Sequence, residues 1–325
     1  MHLAISLNIA AATGETVMDF SRISKFVRQA EAAGVDMIVI SDTADGPSIS
    51  PFEATTLLAA LATVTDRIGL VASASTLAHQ PYNLARRFAS LDVISHGRIG
   101  WHATMAQGSR EAANFSRPEG FSDTDFRRRA EEYIGIVQGL WQGWDADALL
   151  FDKTGGRFHD PEKMHLLDHK GEFFSVRGPL NVARSPQDTP VLVLSGLSEP
   201  DLDIAARTAD VILLESGSAE SAKIHFDDLR RRATAAGRDP DAVKVLTNIS
   251  FGSDDGPAVT IDRLETQLRA KSCDGFNIQL HTQDSALDDF ADRVLPELRQ
   301  RGLVQEGYCG ATLRSHLGLA RGGDR

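Results

Sequence analysis

Cysteine is nearly absent from this chain: 325 residues hold two thiols, Cys273 and Cys309. They lie far apart, with no C-x-x-C pair and no histidine at ligand spacing, so neither a disulfide framework nor a zinc site is signalled, and no metal is expected. Buried or reduced thiols are the expectation. Long hydrophobic runs are also missing. No uninterrupted apolar stretch approaches the roughly 20 residues that a membrane-spanning helix needs, and the opening MHLAISLNIAAATGE carries no basic leader. A cytoplasmic protein with no membrane association is expected. Positive charge is in deficit, with 34 Lys and Arg against 45 Asp and Glu for a formal net charge of -11. The two triple-arginine clusters, Arg127-Arg128-Arg129 and Arg230-Arg231-Arg232, sit inside acidic helical stretches, so a nucleic-acid partner is excluded. No G-x-G-x-x-G turn follows the first strand-like run, which argues against an open dinucleotide-binding sheet.

What is present is an alternation. Eight times a short run rich in β-branched residues precedes a longer segment with helical spacing, the pattern of parallel βαβ units. The strand-like runs are Leu3 to Leu7, Val35 to Ser41, Ile68 to Ser73, Arg98 to Thr104, Val191 to Ser195, Val211 to Glu215, Val243 to Ser250 and Gly275 to Leu280. In the first helical segment, from about Asp19, Ile23, Phe26, Val27 and Ala30 fall on one face, and Gly34 is placed to end it. Pro81 suits a first helical turn, where its missing N–H costs nothing. Further helical patterns run from Asp123 to Trp144, Pro200 to Thr208, Ala219 to Ala236, Val259 to Ala270 and Ala286 to Arg301. Eight such units predict a (β/α)8 TIM barrel, an α/β fold, as a single domain over residues 1–325. Residues 145–190 are too long for an ordinary connection and predict an excursion, with a hairpin strand at Glu172 to Val176.

Active sites of such barrels lie at the carboxyl ends of the strands. That rule selects Asp42, Ser75, Thr76, His102, Gly196, Ser198, Glu215, Asn248 and His281. Trp141, Trp144 and Phe115 are expected to fill the shell around the fourth helix.

The stretch IGLVASASTLAHQPYNLARRFASLDVISHGRIGW, Ile68 to Trp101, resembles the signature region of the nitrilotriacetate and dibenzothiophene-sulfone monooxygenase family, within the bacterial-luciferase-like superfamily. Further matching runs follow in order, among them AEEYIGIVQGLWQGWDADAL, HKGEFFSVRGPLNVARSPQDTPVLV, AARTADVI, DGFNI and the tail LPELRQRGLVQEGYCGATLRSHLGL. Members of that family are two-component enzymes. The resemblance implies that a separate NAD(P)H:flavin reductase supplies reduced FMN as a diffusible cosubstrate. That flavin reacts with O2 at its C4a position to oxygenate a small organic substrate. It also implies a homo-oligomer.

Carried over residue by residue, the resemblance places Asp42 near the flavin ring, although a helix-capping aspartate would look the same. Thr76 follows the third run and matches a family threonine beside the flavin; the other reading is a hydroxyl satisfied by loop backbone. Gly196, Leu197 and Ser198 match a turn that leads into a helix and suits the FMN phosphate. There Leu197 stands where the family has a serine, and Ser198 with Asp201 would equally form an ordinary helix cap. His102 replaces a family asparagine expected to touch the flavin. It is read as a catalytic or cofactor contact beside Thr76, or as a structural histidine. Arg127 stands where the family has a phosphate-associated tyrosine, and the alternative is solvated helix surface. His79, His281 and Glu215 receive no catalytic role.

Two loops are short by comparison with the resembled family, Asp42 to Pro51 and Gly252 to Pro257. The expected activity is therefore an FMNH2-dependent monooxygenase of unassigned substrate. The alternatives are a non-catalytic flavin-binding relative and a deazaflavin-dependent oxidoreductase.

Overall fold

The computed structural model describes residues 1–12, 18–42, 48–105, 113–115, 119–215, 218–251, 256–280, 288–304 and 307–321. His281 and most of the two short loops lie outside the described residues. Eight parallel strands close into a barrel: β1 (His2–Asn8), β2 (Met37–Ser41), β3 (Gly69–Ser73), β4 (Ile99–Thr104), β5 (Val191–Ser195), β6 (Val211–Leu214), β7 (Lys244–Phe251) and β8 (Gly275–Leu280). Their order around the barrel is their order in the chain, and β8 returns to β1 with Ile278 opposite Ile5. The predicted barrel is the observed one.

Helices pack outside: α1 (Phe20–Ala32), α2 (Ala54–Ala62), α3 (Pro81–Ile94), α4 (Asp123–Trp141), α5 (Leu202–Thr208), α6 (Ala219–Ala235), α7 (Pro257–Arg269) and α8 (Leu295–Gln300). On α1 the predicted stripe is buried at Ile23, Val27 and Ala30, and Gly34 follows at φ +79°, the left-handed conformation that lets the chain leave the helix. A π-helical turn, Phe290–Val294, runs into α8. Among the described residues, no helix is long and apolar enough to cross a membrane.

Strand alternation divides the core in two. Ile5, Ile38, Leu70 and Trp101 face the helices, whereas Ala4, Met37, Val39, Val71, Val193 and Leu246 fill the barrel interior. A short last helix, α9 (Leu313–His316), plugs the amino-terminal end, where Leu313 and Leu317 join the interior cluster. Gly69 leaves the room that Leu313 takes, because a Cβ there would collide with the leucine side chain.

Residues 145–190 form two small hairpins, Leu149–Asp152 with Arg157–His159 and His169–Lys170 with Ser175–Val176. The predicted strand from Glu172 is shorter because the Phe173 and Phe174 amides donate to the Glu132 carboxylate on α4, each at 3.0 Å, instead of to a neighbouring strand. The excursion thus lies along α4, reaching Arg128 through Glu172 at 3.1 Å. Trp141 is buried as expected, but Phe115 is exposed, a correction to the packing role read from the sequence.

Candidate active site

Along each strand the interior positions change character toward the carboxyl end. Trp101 on β4 faces outward, packed on Phe88, Tyr133 and Trp141, so His102 faces inward. Val71 and Val193 are interior, which puts Ser73 and Ser195, two positions on, over the same cavity floor. His102 joins them: Nδ1 lies 2.7 Å from Ser73 Oγ and Nε2 lies 2.7 Å from Ser195 Oγ. Burial pushes the imidazole down to about 4, so the ring is neutral at physiological pH, accepting from one serine and donating to the other. The arrangement ties β3, β4 and β5 together. It leaves no ring nitrogen for proton exchange with a ligand unless a serine hydroxyl relays it.

The opposite arc follows the same rule. Leu213 and Leu246 are interior, so Glu215 and Asn248 come next on that face, with Asn277 and Gln279 from β8 and Ser6 from β1. Asn277 Nδ2 donates to Asn248 Oδ1 and to Ser6 Oγ, both at 2.8 Å. Asn248 Nδ2 in turn donates to Glu215 Oε1 at 2.5 Å. The upper barrel is therefore a polar cup on an aliphatic floor. Ser6, Ser73, Ser195, Asn277 and Gln279 were not singled out from the sequence; the signal available was the i+2 position beyond each interior aliphatic residue.

Thr76 sits beyond β3 in a turn pinned twice: Trp101 Nε1 donates to the Ala74 carbonyl at 2.9 Å, and Arg129 Nη1 to the Thr76 carbonyl at 2.8 Å. The Arg129 guanidinium is buried against the Phe174, Phe121 and Tyr133 rings, 4.7, 5.3 and 5.9 Å from their centroids. The Thr76 side chain is buried, yet its hydroxyl has no hydrogen-bond partner among the described residues. Among the described residues no backbone group satisfies that hydroxyl.

Asp42 ends β2 half-buried, and its Oδ2 accepts from the Ala54 amide at the start of α2 at 2.8 Å. Burial raises its pKa despite that bond, while His79 nearby is lowered, first by burial and then by Arg87. Asp42 thus serves as a helix-capping group at the rim.

Gly196 takes φ +66°, and Ser198 starts a 3-10 turn, Glu199–Asp201, that leads into α5. The Ser198 amide donates to Asp201 Oδ2 at 2.9 Å, and its hydroxyl contacts the same oxygen. Arg127 Nε reaches Asp201 Oδ1 at 2.7 Å. Arg127 and the Gly196-Leu197-Ser198 turn are therefore brought together through Asp201, which the sequence reading used only as a cap. Arg127 is not free surface.

The whole arrangement can be set beside known proteins. The family model described as luciferase-like monooxygenase matches residues 1–305. The chain belongs to that family. Nitrilotriacetate monooxygenase component A of Aminobacter aminovorans is 34% identical over 362 aligned positions, covering 84% of this chain and 79% of that protein. A pristinamycin IIA synthase polypeptide of Streptomyces pristinaespiralis is 37% identical over 300 positions, covering 92% of this chain and 89% of that protein. In fold, the EDTA monooxygenase of Chelativorans sp. BNC1 superposes with a TM-score of 0.88 at 24% identity, covering 99% of each chain. This chain is thus a luciferase-like monooxygenase by family, as its sequence led one to expect. The 362 positions exceed the 325 residues of the chain, so the Aminobacter protein carries segments this one lacks. The match to the pristinamycin protein is almost free of such gaps.

Proposed function

We propose that this chain is the oxygenase component of a two-component flavin system. It takes FMNH2 from a separate NAD(P)H:flavin reductase and uses O2 to oxygenate a small organic substrate, in the cytoplasm, as a homo-oligomer of single barrel domains. The observation that carries the reading is the buried, partnerless Thr76 hydroxyl beside a polar cup at the carboxyl end of the barrel. An unsatisfied buried hydroxyl costs about 1–3 kcal/mol. It is a cost that a ligand with a ring nitrogen or carbonyl at that point removes, and an isoalloxazine edge offers both.

Thr76 and the Asp42 carboxylate would face the ring, with Arg127 and the Gly196, Leu197 and Ser198 backbone at the phosphate. Bound reduced flavin supplies the electrons that activate O2 for transfer of one oxygen atom. The protein's own part is placement. Trp101 and Arg129 hold the Thr76 turn by its carbonyls. His102, neutral and held between Ser73 and Ser195, orients two hydroxyls toward the cup and acts through them. Arg127, when it leaves Asp201, offers a planar fork suited to a phosphate.

Anaerobic titration with photoreduced FMN, followed by mixing with O2 while released hydrogen peroxide is measured, tests the reading. Tight binding with slow peroxide release supports it. Failure to bind either oxidation state of FMN removes it.

A second reading is favoured by one observation. The near gap-free match is to a protein named as one subunit of a synthase, which fits a non-catalytic flavin-binding chain that works beside another subunit. Binding of FMNH2 with immediate peroxide release, unchanged by any substrate, would favour that reading.

A further inference from the structure

Glu215, a strand-end residue to which the sequence assigned no catalytic role, occupies the most exposed point of the polar cup. β6 ends at Leu214, and the interior position of Leu213 directs Glu215 to the barrel mouth. Its Oε1 receives Asn248 Nδ2 at 2.5 Å and Gln279 Nε2 at 3.4 Å. Behind Asn248 stands Asn277, whose amide donates to Asn248 Oδ1 at 2.8 Å. Asn277, Asn248 and Gln279 each donate toward the carboxylate or the residue next to it, and Asn277 also donates to Ser6 Oγ. The chain of donors ends on one oxygen, which fixes the direction of the carboxylate. The second oxygen has no hydrogen bond, and Glu215 no ion pair, among the described residues.

A cavity of about 500 Å3 opens beside it, lined by Glu215, Asn248, Ser250 and Gln279 from the strands and by Asp262 and Arg263 from α7. That volume lies within the range of small-ligand sites, roughly 300–1,000 Å3. The charges on its wall are not equivalent. Asp262 is paired with Arg301 at 3.1 Å, and Arg263 is turned onto the Ser250 carbonyl at 3.4 Å. Glu215 is left as the lining carboxylate with one oxygen that accepts no hydrogen bond among the described residues.

We propose that Glu215 selects the substrate of this oxygenase: the cavity takes an organic amine that is protonated at neutral pH and anchors its ammonium group on the free carboxylate oxygen. The inference rests on the oxygenase reading of the barrel. An ammonium offers donors where the wall offers an acceptor, whereas a carboxylate in the same place meets a like charge. A protonated nitrogen has no lone pair to accept oxygen, so the oxidised atom lies elsewhere in the molecule. Glu215 then fixes which end of the substrate enters first.

The test uses three probes of equal length, hexylamine, hexanoate and hexanol, titrated calorimetrically into the whole protein at neutral pH, with FMNH2 binding measured separately on the same samples. Hexylammonium is expected to bind about tenfold more tightly than hexanoate, the effect of one charge-assisted hydrogen bond. Glu215→Gln, which keeps shape and removes charge, is expected to bring the two within about threefold and leave hexanol unchanged. Asp262→Asn, at the other carboxylate of the cavity, keeps the preference. No measurable binding of hexylammonium, equal binding of the two charged probes, or a preference that survives Glu215→Gln or vanishes in Asp262→Asn overturns the inference. If FMNH2 does not bind, the oxygenase reading fails while the charge preference can still be read. If FMNH2 binds and the preference is absent, only this inference fails.

Discussion

Arg129 Nη1 donates to the Thr76 carbonyl at 2.8 Å while the hydroxyl of the same threonine is buried with no partner among the described residues. One residue is thus fixed in its backbone and unsatisfied in its side chain. Thr76→Val should separate stability from binding. Replacing an orphaned hydroxyl with a methyl group of similar size is expected to leave the flavin-free protein as stable, or to gain up to about 1 kcal/mol. The same change should weaken FMN binding about tenfold. Thermal denaturation without flavin and fluorescence titration with FMN read the two effects. A lower melting temperature with unchanged FMN affinity would mean that Thr76 is a packing residue.

His102 links pH to stability. In the unfolded chain its imidazole titrates near the ordinary 6.5, and in the fold near about 4. Between those values the unfolded chain holds a proton that the folded one does not. The stabilisation is complete above pH 6.5 and is lost as the pH falls toward about 4, by about 3 kcal/mol in all. His2 and His316 are also lowered to about 4 by burial, so the isolating measurement is a difference. Urea denaturation of wild type and His102→Asn, at pH 7.5 and pH 5, should show a smaller acid loss in the variant; parallel curves would exclude the buried neutral histidine.

The barrel could be read from the sequence because parallel strands buried on both faces leave apolar runs that need no knowledge of tertiary contacts. The site was read less completely. Motif and strand-end position picked out Thr76 and His102, and the local Ser198–Asp201 cap was legible too, but the roles of Asp42 and Arg127 depend on which partners tertiary folding brings near: Ala54 for Asp42 and Asp201 for Arg127. Ser73 and Ser195 were invisible as histidine partners, since the register that sets them beside His102 is fixed only when the strands pair, and they lie 29 and 93 positions from it. Glu215 showed no motif at all; its place follows from the inward phase of β6.

Arg127 offers a way to ask whether the Gly196 turn receives a phosphate. FMN and riboflavin differ only in that group, so the ratio of their affinities isolates its contribution. Arg127→Met is expected to lower FMN affinity roughly tenfold, the scale of a charge-assisted contact, and to leave riboflavin affinity unchanged. Fluorescence titration with both flavins measures the ratio. Equal losses for the two would place Arg127 at the structural junction with Asp201 and away from the phosphate.

The amino-terminal end of the barrel supplies the complementary case, stability without binding. Arg314 on α9 grips Asp210 with Nη2 to Oδ2 at 2.8 Å and Nη1 to Oδ1 at 3.3 Å, and also reaches the Thr189 carbonyl with Nε at 2.9 Å. Both side chains are almost wholly buried, with 5% and 2% exposure. Asp210 Oδ2 also accepts the Leu192 amide at 2.9 Å, so the pair holds the plug helix to the foot of β5. Removing one partner strands the other charge in the protein. Arg314→Met should therefore cost about 3–5 kcal/mol. A double variant with Asp210→Asn should cost less than the sum of the single changes, because neither charge is then left alone. FMN affinity should not change in any of the three, since the pair lies at the end of the barrel opposite Thr76 and Glu215. Denaturation and flavin titration of the same preparations check this, and a parallel loss of FMN binding would show that the plug governs the shape of the cup.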